Sequence, residues 1–264
     1  MLLPSDDMVK NRVFAIHPVA RTVSTQDVVR RAARAGAADG FCCMAGEQTA
    51  GRGRLGRPWL APPGTALLAS VLLHVPTAAA PAVPFAAGLA MADALQALCG
   101  VGVHLKWPND VLVERRKLAG LLVEVCGDGA PPGVAALIVG AGVNLTVEHL
   151  PDEFHALSLH RVVETPPAPL QLLEAWLARL DAWAATLEEE GLRPVIVEWR
   201  RRSTGLDEEV RVATPAGVVR GVAAGVRDDG ALLVRTAGGV VPVLAGDVEL
   251  LGEDRDAVPM HDRP

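Results

Sequence analysis

Between Gly46 and Trp59 the chain reads G-E-Q-T-A-G-R-G-R-L-G-R-P-W, with Gly51, Gly53 and Gly56 interleaved with Arg52, Arg54 and Arg57. Guanidinium forks hold their charge at any physiological pH and match the oxygens of carboxylates and phosphates. Glycines allow backbone N–H groups to come close to the same ligand. Such a segment has little preference for helix or strand and reads as an anion-seeking loop. Gly51, Gly53 and Gly56 also spell the dinucleotide fingerprint G-x-G-x-x-G. That motif requires a helix to start inside it, with an acidic residue about 20 positions further on. Pro58, Pro62 and Pro63 forbid the helix, and the acidic residue is missing. The Rossmann reading fails.

A second polar cluster follows. Lys106-Trp107-Pro108-Asn109-Asp110 ends one apolar run, and Lys117-Leu118-Ala119-Gly120 opens another. The chain has 25 basic residues, of which only Lys10, Lys106 and Lys117 are lysine, leaving 22 arginines. Two of those three lysines, and two of the three asparagines (Asn109 and Asn144), fall in or beside these apolar runs. Lysine is a compact point charge where arginine is a fork. Taken alone, Lys106 and Asp110 would form a surface ion pair worth little. Polar groups gathered at the ends of buried strands are better candidates for a ligand site.

The elements that must carry these residues can be read from periodicity. Ser24-Thr25-Gln26-Asp27 fits a helix-capping pattern, followed by Val28, Val29, Ala32 and Ala33 at helical spacing and a stop near Gly36. Phe41 to Ala45 predicts a strand leading into the Gly/Arg loop, and Ala66 to Val75 one buried on both faces. Pro84 to Cys99 predicts a helix stopped by Gly100. Val103 to Trp107 is a strand broken by Pro108. Asp110 to Glu114 and Leu118 to Val125 predict a hairpin, and Ala135 to Val143 another apolar strand. Leu170 to Glu190 carries an amphipathic stripe through Trp176, Leu180, Trp183 and Leu187, and a short helix spans Pro194 to Arg202. From Gly205 four short runs alternate with turns: Glu209 to Ala213, Val218 to Val226, Ala231 to Thr236 and Val240 to Leu244. That spacing predicts a small β-barrel. Residues 1 to 20 show no clear periodicity.

Composition limits the alternatives. At 264 residues, half of them hydrophobic, the chain can build one large domain and a small module. The net charge of -6, without a basic tail, gives no nucleic-acid surface. The apolar run from Ala78 to Cys99 is interrupted by Asp93, Gln96 and two prolines, and reads as a buried helix rather than a membrane span. No secretory leader pattern begins the chain, so a cytoplasmic location is expected. Cys42, Cys43, Cys99 and Cys126 lack C-x-x-C spacing and read as core thiols, with no metal site expected.

The order and spacing of E-Q-T-A-G-R-G-R-L-G-R-P-W, K-W-P-N-D, K-L-A-G-L-L-V-E and G-A-G-V-N-L, preceded by S-T-Q, resemble the biotin protein ligases from about residue 14 to 250. Gln26 stands where many members have Asn. Only about 20 residues precede S-T-Q, so the resemblance is to a ligase-only form without the DNA-binding winged helix. It implies an α+β fold: a mixed sheet flanked by helices, like the class II aminoacyl-tRNA synthetase core, with a C-terminal SH3-like β-barrel. The implied domains are residues 1 to 203, catalytic, 204 to 252, barrel, and 253 to 264, tail. The implied activity joins biotin and ATP into biotinyl-5′-AMP, with Mg2+, and transfers biotin to a lysine of a carboxyl carrier domain of a biotin-dependent carboxylase. DNA and membrane are not implied as partners; the resemblance allows a homodimer but does not fix the oligomeric state.

By the same resemblance Ser24, Thr25, Gln26, Gln48, Gly51, Arg52, Gly53, Arg54 and Lys117 bind biotin. Arg52, Arg54, Arg57, Trp59, Lys106, Asn109, Lys117 and Asn144 bind ATP or the adenylate. Arg54, Lys117 and Asp110 are the implied catalytic residues, Asp110 being the one carboxylate in K-W-P-N-D. Lipoate and octanoate ligases or transferases share the fold but lack the G-R-G-R-x-G-R-x-W segment.

Overall fold

A computed structural model describes residues 12–127, 130–151 and 155–251. The chain divides into two compact units, Met1–Thr204 with Asp228–Gly230, and Gly205–Arg227 with Ala231–Pro264. The tail expected at residues 253 to 264 lies outside the described residues.

The first unit is built on strands β1 (Ala15–Val19), β2 (Phe41–Ala45), β3 (Ala66–Pro76), β4 (His104–Lys106), β5 (Asp110–Val113), β6 (Arg116–Val125) and β7 (Val134–Asn144). They form one mixed sheet in the order β1-β2-β3-β7-β6-β5-β4, antiparallel except for the β1–β2 pair. Its helices are α1 (Thr25–Arg34), α2 (Val83–Cys99), α3 (Pro169–Glu190) and α4 (Leu192–Arg202). The α+β class read from the sequence holds. Strand β1 was missed because its residues, A-I-H-P-V, are largely exposed at a sheet edge and show no clean alternation.

Both faces of the central strands are covered. On one face Val29 of α1 packs with Cys43, Leu72 and Ile138. Successive strand residues point to opposite faces, so Val71 and Leu73 point the other way, and they too are fully buried. Helices α2 and α3 meet the sheet and one another. The segment Thr77–Cys99 is apolar and long enough by composition to cross a membrane, and 72% of its apolar window is buried within the protein. The four cysteines are free thiols. Burial pushes Cys42 up to about 12 and Cys43 up to about 11, so both behave as core side chains.

Helix α4 positions β4 and therefore the K-W-P-N-D corner. The Thr204 N–H donates to Leu105 O at 2.8 Å, and Ser203 bridges to Leu105. Beneath it a polar cluster ties three helices together. Trp183 Nε1 on α3 donates to Asp93 Oδ2 on α2 at 2.8 Å, and Arg202 on α4 pairs with both Asp93 (2.5 Å) and Glu198 (2.7 Å). A hydrogen bond from Arg201, with Arg202 adding to it, holds Glu198 below its ordinary 4.5 against the opposing effect of burial. A carboxyl lowered in the folded state contributes stability that is present above 4.5 and lost as pH falls through the folded value. The melting temperature should therefore drop as pH falls below about 4.5, and Glu198→Gln should flatten that slope. Calorimetric melts of both proteins check this.

The second unit is an antiparallel sheet of β8 (Glu209–Thr214), β9 (Gly217–Val226), β10 (Leu232–Thr236), β11 (Gly239–Val243) and β12 (Asp247–Leu250), in the order β11-β10-β9-β8-β12. Val210, Val212, Ala223, Leu232 and Val234 form its core. Strand β12 was not foreseen, because D-V-E-L is four residues long and half-exposed.

Candidate active site

The site lies on the α1 face of the sheet, above a floor of glycines. Gly120 on β6 and Gly142 on β7 are register partners. A methyl added to Gly142 would stand 2.5 Å from the Trp59 ring, and one on Gly120 would stand 3.2 Å from it. Gly140 lies under Gln26 in the same way, its added methyl 3.0 Å from Gln26 Nε2. The indole and the amide thus occupy space that side chains on these strands would fill. Sequence reasoning did not single these glycines out. Glycine in a strand interior was the available signal, since it marks close approach.

The Gly/Arg segment is a loop, as expected, and it folds back on itself. Arg52 bridges to Pro58, Gly53 N–H donates to Arg57 O at 2.7 Å, and Trp59 N–H donates to Gly51 O at 2.9 Å. At the tip Arg54–Gly56 makes one short turn, with Leu55 in the left-handed region at φ 54° and largely exposed. This is no helix to hold a pyrophosphate, in keeping with the failed Rossmann reading. Arg54 is half-buried and Arg57 exposed. Gly51 must be glycine, since a Cβ would meet Gln48 Nε2 and Trp59 O at 2.9 Å.

At the start of α1, Ser24 occupies the N-cap position with extended backbone but makes no capping hydrogen bond. The capping pattern found the helix start while its side chains turn elsewhere. Gln48 Oε1 accepts from the Thr25 N–H (2.7 Å) and Thr25 Oγ1 (3.0 Å). With its only hydroxyl proton so used, Thr25 accepts from Ser70, buried on β3, at 2.7 Å. Ser70 was another residue the sequence did not reveal. Asp27 receives both ends of the Arg52 fork, at 3.0 and 2.5 Å. That hydrogen bonding lowers the Asp27 carboxyl. Arg52, expected to clamp a ligand, makes this ion pair with Asp27.

The hairpin brings the reactive pair together. Lys117 Nζ is 2.6 Å from Asp110 Oδ1 and 5.8 Å from the centre of a Trp59 ring. In a regular strand, residues 117 and 120 would point to opposite faces. A bulge between the pairs Val111–Ala119 and Leu112–Lys117 removes one step, so the Lys117 ammonium reaches over Gly120. Lys106 stands opposite Asp110 in register, yet the ion pair of Asp110 goes to Lys117, not to Lys106. Asn109 uses its amide on Leu121 O at 2.6 Å and accepts from the Leu121 N–H, which anchors the corner. The Trp107–Pro108 bond there is cis. Asn144 closes β7, buried, with Nδ2 donating to Leu157 O at 3.3 Å.

Buried polar atoms nearly always have partners. Among the buried side-chain nitrogens and oxygens of the described residues, the exceptions are Gln26 Oε1, Trp59 Nε1, Asn144 Oδ1 and His160 Nε2. Three of the four belong to residues of this site: two acceptors and a donor that a polar ligand would satisfy. No group of three His, Cys, Asp or Glu gathers among the described residues, so they build no cage for a metal ion.

A helix-flanked mixed sheet thus carries a cationic loop and a Lys–Asp pair over a glycine floor, an arrangement suited to an anionic ligand. The pattern of the Biotin/lipoate A/B protein ligase family matches residues 19–144, and that of the Biotin protein ligase C terminal domain matches 205–251. The chain is 35% identical over 242 residues to the biotin–[acetyl-CoA-carboxylase] ligase of Paracoccus denitrificans, covering 87% of this chain and 98% of that one. It is 37% identical to the corresponding Mycobacterium tuberculosis ligase, covering 87% and 86%. The biotin protein ligase of Aquifex aeolicus, solved with biotin and ATP, superposes with a TM-score of 0.75 at 27% identity, over 89% of this chain and 97% of that one. The Leishmania major ligase with biotinyl-5-AMP gives 0.61 at 26%, over 86% and 98%. The chain belongs to the biotin protein ligase family.

Proposed function

We infer that the protein joins biotin to ATP, releasing pyrophosphate, and passes biotin from biotinyl-5′-AMP to a lysine of a carboxylase carrier domain. The observation that carries this is the set of unpartnered polar atoms on Gln26, Trp59 and Asn144 around the Lys117–Asp110 pair. Biotin presents ureido N–H donors to acceptors such as Gln26 Oε1. Lipoate and octanoate have no such donors, which favours biotin over the alternative acyl substrates of the same fold.

The roles proposed are those the resemblance implies. Ser24, Thr25, Gln26 and Gln48 line the biotin end. Trp59, on its glycine floor, offers a surface for adenine, and Asn144 Oδ1 accepts from the nucleotide. Lys106 and Arg57 lie at the rim for the phosphates. Bringing a carboxylate to about 4 Å from a phosphate costs on the order of 4 kcal/mol at an effective dielectric of ~20. Lys117 and Arg54 offset that repulsion and stabilise charge developing on the α-phosphate. Mg2+ would enter as the complex with ATP, held by phosphate oxygens and water. We place the reaction in the cytoplasm. We also propose a homodimer, which sedimentation with and without both substrates tests.

Gly142→Ala should push the Trp59 ring off the sheet and weaken ATP affinity about tenfold, in the range a lost base–aromatic stack costs. Gly102→Ala, where a methyl meets nothing within 4 Å, is the control. Titration calorimetry compares them. For the function itself, the purified protein with ATP, biotin and a carboxyl carrier domain should add one biotinyl group to a single lysine, read by mass spectrometry. Labelling with lipoate but not biotin would overturn the assignment.

A further inference from the structure

Asp27 has no part in the chemistry above, yet it makes the two-pronged contact that holds the Gly/Arg loop. It occupies the third position of α1, where an acidic side chain commonly reaches back to the N-cap backbone. Here no such cap forms, and the carboxylate takes both prongs of Arg52 at 3.0 and 2.5 Å. Four residues earlier in the same loop, Gln48 grips Thr25 through its backbone and its hydroxyl. One turn of α1 thus holds the loop at two points, and between them lies Gln26, whose Oε1 has no partner. Arg52 in turn is bridged to Pro58, one residue before Trp59.

We propose that Asp27 is a positioning residue that ties the Gly/Arg loop, through Arg52, to the helix end that binds biotin. The ion pair neutralises Arg52, so its contribution is to placement, and charge stabilisation falls to Lys117 and Arg54. The proposal rests on the biotin-activating reading. Because Arg52 leads through Pro58 to Trp59, the pair couples the biotin end of the site to its adenine end. A loop untied at this point should let go of biotinyl-5′-AMP early while still making it.

The test forms biotinyl-5′-AMP on wild type, Asp27→Ala, Asp27→Glu, Arg52→Ala and the double variant, then follows its release in a chase with unlabelled biotin. The pair is about one-third exposed, so its loss should speed release about 2- to 5-fold, within the range of a well-formed surface pair. The kcat of biotin-dependent pyrophosphate exchange should stay within about 2-fold in the Asp27 variants, Asp27→Glu should restore slow release, and the double variant should release no faster than Arg52→Ala. Unchanged release in Asp27→Ala, or effects that simply add in the double variant, would overturn the proposal and leave the ligase reading intact. Failure of the wild type to form biotinyl-5′-AMP would remove both. Should Asp27→Ala fail to fold, Asp27→Asn removes the charge at equal volume and is expected to release at the same raised rate.

Discussion

Lys117→Ala should lower the rate of biotinyl-5′-AMP formation by roughly 10²- to 10³-fold, the cost of removing one preorganised stabiliser of developing charge. Three contacts converge on this ammonium: the Asp110 carboxylate at 2.6 Å, the Trp59 ring, and the glycine floor beneath it. Without it the carboxylate–phosphate repulsion of about 4 kcal/mol is left to Arg54. Lys117→Arg should not restore the rate, since a planar fork does not reproduce the geometry of a compact ammonium. Single-turnover formation of biotinyl-5′-AMP measures the step apart from transfer. A variant within a few-fold of wild type would show that the charge is supplied elsewhere.

Asp110→Asn should act on the second step. A free lysine at pH 7 must lose a proton at a cost of about 4.6 kcal/mol before it can attack. Asp110 is the carboxylate at the hairpin corner and already holds one ammonium, so its chemistry suits receiving another. General-base assistance contributes about 10²- to 10⁴-fold, and the variant should transfer biotin from preformed biotinyl-5′-AMP more slowly by about the lower figure. The loss should shrink as pH rises from 6 toward 9, where more acceptor lysine is already neutral. Transfer at the wild-type rate across that range would assign the proton to another group.

The sequence was most legible where burial repeats. Strands β2, β3 and β7 and helices α2 and α3 carry apolar patterns long enough to place their ends within a residue or two. Legibility failed at the edges: β1 and β12 are short and solvated, and what holds them is pairing with β2 and β8. In the site, residue types announced the anion chemistry, and the resemblance supplied the roles. The pairing did not show. Asp110 faces Lys106 in register but binds Lys117, because a bulge of one residue turns Lys117 to the same face. Arg52 looked like a ligand clamp and is tied to Asp27, a residue that the sequence marked only as part of a helix cap. Both outcomes depend on contacts between segments distant in the chain, which periodicity does not encode.

The most direct measurement is exchange of labelled pyrophosphate into ATP, which reports the first step without any acceptor protein. Exchange should require biotin, should not be supported by lipoate or octanoate, and should collapse in Lys117→Ala. Exchange supported equally by lipoate, or independent of biotin, would contradict the account.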